Sequence, residues 1–127
     1  MVIHLRYYHR FFMITLAKQI ETEPEIMRAL VEFAKANHPG FSGVSNEHLE
    51  TLFSTYKNTT LIEIGDNGII KGIAVYQEWP DRLNFLAIAC MGTRTENLFF
   101  MLKVRKCVPE KPICFFDEEK MELKCHQ

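Results

Sequence analysis

Residues 83–91, Leu-Asn-Phe-Leu-Ala-Ile-Ala-Cys-Met, form a nearly unbroken apolar run. Its length suits a strand, and the lack of alternation suits one covered on both faces and central in its sheet. Gly92 breaks the run. Thr93-Arg94-Thr95-Glu96 then has capping-box spacing, in which a hydroxyl and a carboxylate three residues apart satisfy the first free amides of a helix. A helix is predicted over 97–106, with Lys103, Arg105 and Lys106 gathered where its dipole favours cations. Val108-Pro109-Glu110-Lys111-Pro112 cannot continue it, and Ile113-Cys114-Phe115-Phe116 reads as another short buried strand. Strand, tight turn, helix, strand normally means parallel pairing through a right-handed crossover.

Upstream, residues 13–20 alternate well enough to predict a strand. Thr22-Glu23-Pro24-Glu25 is a second capping box, with proline in the first turn, where its missing amide is harmless. The helix it opens carries Ile26, Leu30, Phe33 and Ala34 on one face and ends at Asn37-His38-Pro39-Gly40. Residues 39–44, with two glycines and Phe41, read as a plain connector. Ser45 caps a second helix, in which Leu49, Leu52, Phe53 and Tyr56 make a core-facing stripe. Residues 59–64, Gly65-Asp66-Asn67-Gly68 and residues 69–79 give the strongest hairpin signal in the chain. Gly72 interrupts its second strand and predicts a bulge or a close backbone approach. With residues 83–91 these strands form a meander. Met121-Glu122-Leu123-Lys124 reads as a single helical turn or a final short strand. Residues 1–12, in which aromatics mix with His and Arg, read as an extra strand or a loosely held arm ahead of one domain over 13–127.

At 127 residues a single core is expected. Hydrophobic residues are 47% and charged residues 24%, which argues against disorder. Fifteen basic residues against sixteen acidic leave a net charge of -1, so no global field draws nucleic acid or anionic lipid. The Lys103–Lys106 run reads as a dipole-compensating helix end, not a phosphate track. No stretch approaches the ~20 apolar residues of a membrane span, and the start lacks the apolar core and cleavage site of a secretory signal. Cys90, Cys107, Cys114 and Cys125 show no CxxC spacing. Grouping the last three with His126 matches no zinc motif. Reduced thiols and a cytoplasmic location are the expectation.

The order strand, two helices, three antiparallel strands, crossover helix, parallel strand resembles the GNAT N-acetyltransferase superfamily over about residues 13–116. The resemblance implies an α/β (α+β) domain with a mixed, mainly antiparallel sheet flanked by helices, ordered β-α-α-β-β-β-α-β. It also implies a fourth strand that bulges and splays from the fifth to admit acetyl-CoA, and amides after the fourth strand that hold the pyrophosphate at a helix N-terminus. The matching turn is Met91, Gly92, Thr93, Arg94 and Thr95. It departs from the family's Q/R-x-x-G-x-G/A signature, having one glycine and the acidic Glu96, and the chain stops before the family's last helix and strands. The family's general base is often a glutamate on the fourth strand or a neighbour, which leaves Glu63 and Glu78 on adjoining strands; the residue-level reading of both is solvent-facing charge. No tyrosine follows Phe116 to act as the acid.

Two functions follow. One is an N-acyltransferase moving an acetyl group from acetyl-CoA to a small-molecule or protein amine through a reduced site. The other is a non-catalytic GNAT-like fold serving as a partner-binding or structural subunit. Leu98-Phe99-Phe100-Met101-Leu102 is apolar nearly all round the helix, more than packing on one sheet requires, and invites a second protein surface such as a homodimer's.

Overall fold

A computed structural model of the chain describes residues 13–66, 68–117 and 122–126. The reading of residues 1–12 as an arm or extra strand lies outside them. The elements are β1 (Met13–Thr15), α1 (Leu16–Thr22), α2 (Ile26–Asn37), α3 (Asn46–Thr55), β2 (Thr60–Ile64), β3 (Ile70–Glu78), β4 (Leu83–Cys90), α4 (Arg94–Cys107), β5 (Ile113–Asp117) and β6 (Glu122–His126). Short 3-10 turns precede α3 and β2. The fold is α+β, and the six strands form one mixed, mostly antiparallel sheet in sequence order, β1-β2-β3-β4-β5-β6. Among the described residues only β4 and β5 run parallel, joined by the α4 crossover.

Each sheet face carries its own core. Ile62, Ile73, Val75, Ala87 and Ala89 meet Leu16 of α1, Leu30 and Phe33 of α2, and Leu49 and Phe53 of α3. Leu61, Ala74, Tyr76, Leu83 and Phe85 meet Phe100 and Val104 of α4. Residues 83–91 contribute to both cores, Leu83 and Phe85 to one and Ala87 and Ala89 to the other, which is why they read as a continuous apolar run, although Leu86 and Met91 are exposed.

Two local expectations are corrected. Residues 13–20 are not one strand: after Met13–Thr15 the chain turns helical, and Thr15 Oγ1 caps α1 by accepting from the Lys18 amide at 3.3 Å. Leu16, Gln19 and Ile20 also satisfy helical spacing, so a short run of this kind does not decide between the two periods. Thr22 closes α1 instead of opening α2; its hydroxyl donates to the Gln19 carbonyl at 3.1 Å, and α2 begins without a side-chain cap. Ser45 caps α3 as expected, and the last segment is a strand, β6, antiparallel to β5.

The expected reduced thiols are also corrected. Cys114 and Cys125 stand directly opposite across β5 and β6 and are bonded, with S–S 2.02 Å. Two of the four side chains weighed for zinc are thereby consumed, and the thiol argument for a reducing compartment is lost.

Candidate functional site

At the end of β4 the Met91 amide donates to the Lys71 carbonyl at 3.0 Å, holding the chain to β3 as it enters the turn. Gly92 follows with φ +117°, a region that favours glycine. Thr93 then caps α4: its Oγ1 accepts from the Glu96 amide at 3.2 Å, while Glu96 Oε1 accepts from the Thr93 amide at 3.1 Å. This is the reciprocal box predicted from Thr93 and Glu96. Donation from the Thr93 amide, and next from the Thr93 hydroxyl at 3.2 Å, holds the Glu96 carboxyl below the usual range. A Cβ at position 92 would stand 2.6 Å from Glu96 Oε2, so the carboxylate fills the space over Gly92.

The turn therefore carries an anion already, supplied by its own chain. A diphosphate at Met91, Gly92, Thr93, Arg94 and Thr95 would meet the Glu96 carboxylate, and the amides of Met91 and Thr93 are both engaged. Arg94 and Thr95, the first residues of α4, are exposed. As folded, these residues do not fit the pyrophosphate of acetyl-CoA.

The two candidate bases lie at opposite ends of the sheet. Glu63 is level with Gly72 and Cys90, and Glu78 is level with Leu83. Cys90 and Leu83 are seven residues apart on β4, roughly 20 Å at ~3.3 Å per residue with one bulge. Glu63 is on the α4 side of the sheet, its side chain 15% exposed, and forms an ion pair with Lys103. Glu78 binds Lys111 Nζ at 2.8 Å, and that ammonium also donates to the Trp79 carbonyl. The fold brings Glu63 toward the turn and leaves Glu78 at the far end.

Between the ends of β2, β3 and β4 and the side of α4 is a groove of about 660 Å3. Met13, Ile64, Met91, Phe99 and Leu102 supply apolar lining, with Glu63, Lys71, Lys103 and Lys106 around them. Cys90 and Cys107 also reach it. Burial pushes both thiols up, Cys90 being raised further by Glu63 and Glu96, so each stays protonated at neutral pH and is a poor nucleophile. No spacing rule connects residues so far apart in the chain, and the sequence carried no signal for this groove.

β4 and β5 pair over three positions only: Leu83 with Ile113, Asn84 with Cys114 and Phe85 with Phe115. Immediately beyond, β4 bulges, because Tyr76 faces Phe85 and Val75 faces Ala87, leaving Leu86 without a partner on β3. Among the described residues, Leu86 to Cys90 pair with nothing on the β5 side. At the point of separation the rings of Tyr76, Phe85 and Phe115 meet across the three strands, Tyr76 stacked on Phe85 at 5.2 Å between centroids and Phe115 tilted against Phe85 at 5.7 Å.

On α4, Phe100 and Val104 are buried, while Leu98, Phe99 and Leu102 are 62%, 57% and 59% exposed. Two cations of this helix are turned to their own chain: Lys103 to Glu63, and Arg105 to the Lys111 and Pro109 carbonyls beyond the helix end. Among the described residues no three His, Cys, Asp or Glu side chains are grouped to hold a metal, and no helix is long and apolar enough to cross a membrane. Compared with known proteins, the chain matches no family and, at a significant level, no curated protein.

Proposed function

We propose that this chain is a GNAT-like, N-acyltransferase-related fold that works as a non-catalytic binding subunit, with the outer face of α4 as its working surface. The observation that carries this reading is the row of Leu98, Phe99 and Leu102, each more than half exposed on one helix that buries only Phe100 and Val104 against the sheet. Monomeric surfaces rarely gather large apolar side chains in this way. The state of the coenzyme turn supports the same reading. Glu96 occupies the anion position, Glu63 is paired with Lys103, and Glu78 is remote.

The second reading, transfer of an acetyl group from acetyl-CoA to an amine, is favoured by one feature. The three-residue pairing of β4 with β5, followed by a bulge at Leu86, is the strand arrangement the resemblance implies. Titration with acetyl-CoA tests the two readings against each other, by calorimetry and by thermal shift, on the native chain and on Glu96→Gln. A ligand at a hundred times its Kd adds about 2.7 kcal/mol, which is several degrees of Tm in a domain of this size. We expect no heat and no shift at millimolar ligand for either protein. Saturable binding by the native chain would move the assignment to the acyltransferase.

A further inference from the structure

The arrangement of charge along α4 identifies what its apolar row binds. Thr95, Leu98, Leu102 and Lys106 follow at spacings of three and four, and Phe99 lies beside them, three before Leu102, so the five form one stripe along a helix roughly 21 Å long at 1.5 Å per residue, with Phe99, Leu102 and Lys106 at its groove edge. On the flank beside the groove, Glu96 is near the start of the stripe and Lys103 is near its end. In two such helices packed antiparallel, like flanks face each other with their order reversed. Glu96 of each copy then comes opposite Lys103 of the other, and Leu98 opposite Leu102.

We infer that the partner of this surface is a second copy of this chain, docked α4 to α4 in antiparallel sense about a two-fold axis. This rests on the reading of α4 as a binding face and specifies its occupant. Both charged groups have capacity for the contact. Glu96 gives Oε1 to the cap and directs Oε2 over Gly92, and Lys103 keeps further N–H donors after binding Glu63. On the opposite flank the reversal brings Arg94 of each copy level with Arg105 of the other, and the Arg105 guanidinium is drawn back to the Lys111 and Pro109 carbonyls. Antiparallel docking also opposes the two helix dipoles. A parallel pair loses the Glu96–Lys103 match and sets the dipoles side by side in the same sense. Such an interface is isologous and closes on itself, as a dimer and not a fibre.

Sedimentation equilibrium over a wide concentration range tests the inference on the full chain. The native protein should show a reversible monomer–dimer equilibrium. Phe99→Glu, which removes the largest side chain of the row and places four carboxylates at the seam, should weaken it by about tenfold or more. An unchanged Tm extrapolated to low concentration checks that this variant still folds. For orientation, Thr95→Cys and Lys106→Cys are made in a Cys90→Ser, Cys107→Ser background. Mixing the two should give rapid crosslinking under oxidation, with either alone crosslinking slowly; the reverse pattern sinks the antiparallel docking. A native chain that stays monomeric throughout overturns the second-copy assignment and leaves α4 as a face for another protein. A dimer that Phe99→Glu leaves intact overturns both, because association then uses some other surface.

Discussion

The Phe100 ring lies against the backbone of Gly72: a Cβ added there would come 2.5 Å from Phe100 Cε1. Gly72 is flanked by Glu63 on β2 and Cys90 on β4, so the contact fixes α4 over the middle of the sheet, beside the groove. Gly72→Ala should destabilise the fold by about 1–3 kcal/mol through overpacking. Phe100→Ala should cost about 3–5 kcal/mol, since the ring is almost fully buried. In a Phe100→Leu background Gly72→Ala should cost measurably less, because neighbouring sites couple by roughly 0.5–3 kcal/mol. Urea denaturation of the native chain, Gly72→Ala, Phe100→Leu and their double variant checks this; additive losses would show that the contact is not the reason for the glycine.

The α4 cap should make stability depend on pH in one direction. The folded Glu96 carboxyl titrates below its unfolded value, so its contribution is complete above the ordinary glutamate pKa of about 4.3 and is lost as pH falls through the lower, folded value. Thermal melts should therefore separate the native chain from Glu96→Gln at pH 7, with the difference closing in acid. Thr93→Ala should cost about 1 kcal/mol at neutral pH.

The bond between Cys114 and Cys125 closes a short loop, with the two residues 11 apart in sequence. Chain-entropy arguments assign such a closure about 2–3 kcal/mol. Melting with and without reductant should show that loss. Alkylation of the unreduced protein, read by mass spectrometry, should label Cys90 and Cys107 only. Both should react slowly at neutral pH and faster in alkali, because burial holds their thiols protonated.

The two glutamates weighed as bases should differ as structural groups. Glu63 is largely covered and Glu78 is exposed. Glu63→Gln should cost about 1 kcal/mol, with the loss shrinking at high salt. Glu78→Gln should stay within about 0.5 kcal/mol. Equal effects would mean that the Lys103 pair contributes nothing.

Much of this architecture is written locally. The run at residues 83–91, the Thr93–Glu96 box, the Ser45 cap and the Gly65–Gly68 turn each depend on neighbours a few residues away, so spacing alone determines the elements and even the parallel return of β5. What failed was also local. Residues 13–20 satisfy two periods at once, and only the pairing of Met13, Ile14 and Thr15 with β2 decides where the strand stops.

Tertiary structure alone decided the rest. The groove joins Met13, Glu63, Cys90 and Phe99 from four elements, and the gap between Glu63 and Glu78 comes from strand register. The Cys114–Cys125 bond depends on β6 pairing back on β5. Sequence marked the helix at 98–102 as too apolar for one sheet; the fold alone selected Phe100 to be buried and Phe99 to be exposed, because a helix lying across Gly72 can turn only one side toward it. Pattern specifies which residues prefer to be covered, whereas the covering surface is assembled from distant parts of the chain.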